Sequence, residues 1–269
     1  HDTLDLLNHE VLDGRLTQPV GGWSDAHVCR ALEIFAEVAD HFEQQGRTGR
    51  PASWAFEREQ LRADLLGWFA ADSARLAANR AEIVHSEAAF GYDSPVYLPL
   101  PDGQLAVKGR IDRIDRTPTG RLIVVDHKSG SDRNYTDVDD DPTAFGTVFQ
   151  LPTYAAGARA LAASPHAEVE AKYSFLGRAR YVQRGYLLDD AAWQAVTEQL
   201  GKVVDGIASG LYPPVPEAPG FQMYVRCKYC QPDGLSTADL YAEWQAKRGD
   251  PRGSRWFAEP DADDAGGGE

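Results

Sequence analysis

Apolar residues recur every three or four positions through the first eighty residues, then every second position or in unbroken runs through the next fifty. The first spacing predicts helices and the second strands. In residues 1–12, Leu4, Leu7, Val11 and Leu12 share one side of a helical wheel with His1, and His9 lies about 80° round from it. Turn residues follow at 14–22 and 45–51. Ser24 suits the N-cap of a second helix over 24–45, and Asp25 suits its first turn. Cys29, beside Val28 and Leu32, is expected on the core face of that helix. A third helix over 54–79 carries Trp54, Leu61, Leu65, Trp68 and Phe69 at helical spacing, which reads as core.

Residues 82–130 predict a three-strand meander with a turn at Pro101-Asp102-Gly103. In its first strand, Val84, Ser86 and Ala88 alternate with Ile83, His85 and Glu87. The second runs over 105–115. The third carries Ile123, Val124 and Val125 straight into Asp126-His127-Lys128, a buried-strand pattern. The polar stretch 131–142 reads as a mobile, solvated loop; its aspartates do not follow EF-hand spacing. The next helix should start near Phe149, because Pro152 is tolerated only in a first turn. Strands at 168–177 and 181–187 and a helix over 190–209 complete the regular pattern. A short helix is expected over 236–248, followed by an Asp/Gly-rich tail that reads as disordered.

Asp112, Asp126 and Lys128 change the picture from fold to chemistry. Two carboxylates and an ammonium at the edge of a buried hairpin are costly unless paired or bound to metal. Carboxylate oxygens suit hard cations such as Mg²⁺ or Mn²⁺. Such a cation would polarise phosphate and water oxygens, and the lysine could orient the attacking water. The competing reading is a surface hairpin with a salt bridge.

The run Gly109-Arg-Ile-Asp-Arg-Ile-Asp115, then Val125-Asp-His-Lys-Ser-Gly130, then Gln150-Leu-Pro-Thr-Tyr154 resembles the RecB-like nucleases of the PD-(D/E)XK superfamily, in the order those nucleases use. The resemblance covers roughly residues 1–235. It implies an α/β, restriction-endonuclease-like fold: a mixed central sheet flanked by helices. It also implies that Asp112, Asp126 and the backbone carbonyl of His127 bind metal and that Lys128 is the catalytic lysine. Gln150 and Tyr154 would contact DNA or support the site. Many members carry a metal-binding histidine in a G-x-x-x-H-x-x-L pattern, and His1-Asp2-Thr3-Leu4 matches its second half. His1 is then a ligand, or else a frayed terminal residue. Since Met223 is the only methionine, the chain reads as trimmed just before that motif. Family members often carry a glutamate on the preceding strand, which makes Glu87 a further candidate.

Many relatives also hold an iron–sulfur cluster with a C-terminal C-x-x-C, a third cysteine and one upstream. Here Cys227 and Cys230 form the pair, but Ser236 stands at the third position. Four thiolates normally hold a cluster, so none is expected; the pair could be a relic, half a zinc site or a disulfide. Few cysteines fit a reducing cytoplasm. The formal charge of −14 is unusual for a DNA binder, although the segment 258–269 contributes five acids and no base. Arg178, Arg180 and Arg184 make the best basic patch, able to contact phosphate or merely solvate a hairpin. No apolar run reaches the length of a membrane span.

The expected organisation is a helical part over 1–80, a nuclease core over 81–210, a C-terminal segment over 211–250 and an acidic tail over 251–269. The expected function is metal-dependent DNA hydrolysis in end-processing or recombinational repair. DNA is the substrate and a helicase domain or subunit the partner. The alternatives are a non-catalytic DNA-guiding or docking domain and a standalone CRISPR-associated exonuclease.

Overall fold

The computed structural model describes residues 1–177, 181–211, 246–247 and 250. Three helices come first: α1 (Asp2–Leu12), α2 (Asp25–Gln44) and α3 (Pro51–Asn79). Five strands follow: β1 (Glu82–Phe90), β2 (Val96–Leu100), β3 (Gly103–Val107), β4 (Gly109–Arg116) and β5 (Leu122–Lys128). A 3₁₀ segment (Asp132–Asp139), α4 (Gln150–Leu161), β6 (Val169–Phe175), β7 (Gln183–Leu187) and α5 (Asp190–Ser209) complete the order.

The main sheet runs β1-β4-β5-β6-β7. All neighbours are antiparallel except β5 and β6, where Asp126 pairs with Tyr173 and Lys128 with Phe175. A parallel pair needs a long crossover, and the 3₁₀ segment and α4 supply it. The result is the expected α/β sheet between helices. One face buries Ile114, Val124, Ala171, Tyr173 and Phe175 under α4. The other buries Ile83, Ile123 and Val125 against Leu4, Leu7, Ile34, Trp68 and Leu76 of the first three helices. Among the described residues no helix is long and apolar enough to cross a membrane.

Several expectations are corrected. The strand expected over 105–115 breaks at Lys108. Its first part, β3, pairs only with β2 in a separate ribbon, so the region holds five strands rather than a three-strand meander. A bulge between Ile83 and His85 interrupts the alternation read for β1. Leu61 is exposed and Trp54 only half-buried, because the first half of α3 extends past the core and Leu65 is the first α3 residue buried in it. Cys29 is exposed; the buried side of α2 carries His27, Ala31 and Ile34, and residue 29 lies about 200° from both 27 and 31 at ~100° per residue. Ser24 does cap α2, with its N–H donating to His27 Nδ1 at 3.1 Å. The stretch 131–142, expected as a mobile loop, holds the 3₁₀ segment and a buried Val138.

The helical face also hides charge that the apolar periodicity does not reveal. Arg113 and Asp115 point inward from β4 and are fully buried. Arg113 forks onto Asp115 at 2.7 and 3.0 Å and reaches Asp72 at 2.8 Å. Arg75 closes the square, 2.8 Å from Asp72 and 2.7 Å from Asp115. Trp23 Nε1 donates to Asp72 at 2.8 Å. The two guanidiniums hold the Asp72 carboxyl well below the usual range despite burial.

On the opposite face, Gly157 sets how closely α4 approaches the sheet. A Cβ there would lie 2.7 Å from Cγ and Cδ1 of Phe90. Gly157→Ala gains about 1 kcal/mol of helix propensity but overpacks the contact, which costs about 1–3 kcal/mol. The variant is expected to melt below wild type. A higher melting temperature would show that Phe90 can move aside.

The chain divides into two units, the second beginning at Leu200. In the second unit, the end of α5 is closed by Gly210 at φ +68°. The N–H of Gly210 donates to the Ile207 carbonyl and that of Leu211 to Gly206, a Schellman closure. Arg178, Arg180, Cys227, Cys230, Ser236 and the acidic tail lie outside the described residues, as does most of the helix expected over 236–248.

Candidate active site

Strands β4 and β5 pair from Arg116↔Leu122 to Arg113↔Val125 and then part. Beyond that point the Asp112 side chain replaces the ladder: its Oδ2 accepts the His127 N–H at 2.7 Å. The parting leaves Asp112 and Asp126 at a notch beside the start of α4. Asp126, in phase with inward-facing Val124, lies on the α4 side of the sheet. His127, out of phase, lies against the first three helices with its ring 5.3 Å from that of Trp68.

Gln150, the first residue of α4, ties the notch together. Its Nε2 donates to Asp126 Oδ1 at 2.9 Å and to the Tyr154 hydroxyl at 3.0 Å. Its Oε1 accepts from Lys128 Nζ at 3.2 Å. Lys128 Nζ also lies 2.5 Å from Asp126 Oδ2 and 5.2 Å from the centre of the Tyr173 ring. Gln150 and Tyr154 reach the same point because four residues make about one helical turn.

The other side of the notch is acidic. His1, Glu87 and Asp112 each offer a ligand atom, and these atoms lie within 4.8 Å of one another. His1 Nδ1 is 3.4 Å from Asp112. Asp126 is not one of the three, because its carboxylate turns to Lys128 and Gln150. Glu87 sits at φ +44°, a backbone state costing a non-glycine residue about 1–2 kcal/mol and typical of functional positions. His85, two residues earlier, is not in this group.

Electrostatics mark the notch as a place short of cations. Burial raises the Asp126 carboxyl to about 6, even with Lys128 beside it. Burial also raises Asp112, against the His127 N–H and Lys128. Glu87 is raised by burial and then by Asp112 and Asp5. Three carboxyls held above their ordinary range, with a histidine nitrogen at hand, are a donor set that fits a hard divalent cation. His127 is different. Burial drives its imidazole down to about 3, so the ring is neutral. Its N–H supports Asp112 from the backbone.

Sequence reasoning missed Asp5. It lies one turn after His1 on α1 and accepts from Ser86 Oγ at 2.9 Å, with His9 Nε2 at 3.2 Å. The i, i+4 spacing of His1, Asp5 and His9 was the available signal. The square of Asp72, Arg75, Arg113 and Asp115 behind His127 was missed as well. Its only local sign was the in-phase pair Arg113 and Asp115 on a strand read as buried.

A family model described as the PD-(D/E)XK nuclease superfamily matches residues 6–233. That span contains Glu87, Asp112, Asp126, Lys128, Gln150 and Tyr154, and leaves His1 and Asp5 just outside it. No curated protein matches the chain. The match takes in most of the sequence and every strand of the sheet, and the sheet has the mixed topology this fold requires. On these grounds the chain belongs to the PD-(D/E)XK nuclease superfamily.

Proposed function

We propose that this chain is a divalent-metal-dependent deoxyribonuclease of the RecB-like branch, acting on DNA ends during break processing or recombinational repair. The observation that carries the reading is the Asp126–Lys128–Gln150 contact set facing the His1–Glu87–Asp112 group across one notch. Asp112, Asp126, Glu87, His1 and the His127 carbonyl are the residues that would hold Mg²⁺ or Mn²⁺. When bound, the cation polarises a phosphate oxygen and lowers the pKa of water. Lys128 orients the attacking water or offsets charge that builds on the phosphate. Gln150 fixes the Lys128 ammonium against Asp126, and Tyr154 holds Gln150 and borders the substrate. Arg178 and Arg180 are assigned to backbone phosphates. With a charge of −14, the chain is poorly equipped to gather DNA alone, which supports delivery by a helicase domain or subunit.

The test is cleavage of linear single- and double-stranded DNA. Degradation is expected with Mg²⁺ or Mn²⁺ and should stop on adding EDTA. Sustained inactivity with Mn²⁺ on both substrates would instead favour a DNA-guiding or docking role.

A further inference from the structure

Residues 129–149 join Lys128 to Gln150 and carry Asp132, Asp137, Asp139, Asp140 and Asp141. So many carboxylates beside a phosphate-cleaving notch oppose substrate approach. Two of them pair with one arginine. Arg184 of β7 donates from Nε and Nη2 to Asp132 Oδ2 at 3.2 and 2.9 Å, and its Nη1 contacts Asp139. The rest of the segment is strapped down beside them. The Tyr135 ring lies 4.6 Å from Tyr173 and 5.5 Å from Phe175. The Tyr186 hydroxyl donates to the Pro142 carbonyl at 2.5 Å.

The position of Arg184 gives this contact meaning. Tyr173 is the register partner of both Asp126 and Arg184. The three residues therefore form one row across the sheet, on the face that carries the notch. Two strand spacings, about 10 Å, separate Asp126 from Arg184. That is within reach of a phosphate about one or two nucleotides along the strand from a bond held at Asp126. A guanidinium binds carboxylate and phosphate through the same two-pronged donor face.

We propose that Arg184 is a DNA-phosphate contact held in reserve by the 3₁₀ strap. Asp132 and Asp139 occupy its guanidinium as stand-ins for phosphate, and a backbone phosphate of the substrate displaces them. The strap is thereby an autoinhibitory contact, released by the ligand it imitates. The inference rests on the nuclease reading above.

The test is equilibrium binding of a labelled single-stranded oligonucleotide to the full chain across a salt series. Ca²⁺ is used as the hard, oxygen-binding cation. Removing both carboxylates as Asp132→Asn with Asp139→Asn is expected to tighten binding about ten-fold at low salt, given the strength of charge-assisted contacts. Asp140→Asn, an exposed charge control, should change it less than about two-fold. Arg184→Gln is expected to weaken binding about ten-fold and to reduce the salt slope by about 0.7, one single-strand phosphate contact. In the triple variant the gain from the two asparagines should vanish. If Arg184→Gln fails to fold, Arg184→Lys takes its place: it keeps the slope but loses affinity with the fork.

Opposite signs for the Asp and Arg variants support the proposal. Changes of the same sign, or no change in slope, mean that the ion pairs only brace the strap, and the proposal falls. A wild-type chain that cleaves DNA while the variants behave that way leaves the nuclease reading intact. A wild-type chain that binds no oligonucleotide overturns the reserve contact, and the nuclease reading falls with it only if the chain also cleaves no DNA with Mn²⁺.

Discussion

Asp126→Asn should abolish metal-dependent cleavage and leave the metal-free protein at least as stable as wild type. The loss of activity is expected to exceed about 10³-fold, since a metal ligand supplies several kcal/mol of charge stabilisation. The stability side follows from the carboxyl's raised pKa of about 6. A carboxyl raised on folding favours the folded state in its protonated form, and that advantage is lost as pH rises through the folded value. Asparagine imitates the neutral form. The variant should therefore match wild type below about pH 4 and gain up to about 3 kcal/mol above pH 6. Thermal unfolding in EDTA between pH 4 and 8 measures this. A variant clearly less stable at pH 8 would make Asp126 a structural partner of Lys128 instead. The same titration gives wild-type metal affinity a sign: it should fall as the pH drops through 6, because protons and cation compete for one oxygen set.

Arg113→Met should cost about 3–5 kcal/mol of stability, the range for breaking a buried ion pair from one side. Arg113 is completely buried and serves both Asp72 and Asp115. Its removal leaves Asp115 to Arg75, and Asp72 to Arg75 and Trp23. At about 2–4 °C per kcal/mol for a domain of this size, the melting temperature should drop by roughly 10 °C. Adding Asp115→Leu should recover part of the loss, because the second change removes a stranded charge. The pH trend runs opposite to that of Asp126. The Asp72 carboxyl is depressed on folding, so its contribution is present above about pH 4 and lost as the pH falls further. A loss below about 1 kcal/mol in urea unfolding would show that water relieves the square.

Most of the fold was legible because its helices and buried strands keep their periods. The Ile123-Val124-Val125 run, the first-turn Pro152 and the helix over 190–209 all lie where the pattern put them. Failures came where geometry departs from the period. Nothing local reports that Lys108 divides one apparent strand between two sheets, or that a bulge shifts β1 before Glu87. Leu61 kept helical spacing in a part of α3 that reaches beyond the core. Around the notch, Asp112, Asp126, Lys128 and Gln150 were legible as an ordered motif. Asp5 went unread although its i, i+4 spacing from His1 and His9 was in view, and the Asp72–Arg75 arm depends on partners 40 or more positions away.

Gln150 has one more implication. A side-chain amide presents a donor and an acceptor from a single carbon, fixed in one plane. Here the donor end meets a carboxylate and the acceptor end an ammonium. A glutamate would satisfy the ammonium and repel the carboxylate, and a lysine would do the reverse. The amide therefore acts as a polarity gauge: with donor and acceptor fixed on one rigid plane, each end can meet only one of its two neighbours, and Lys128 and Asp126 cannot exchange places around it.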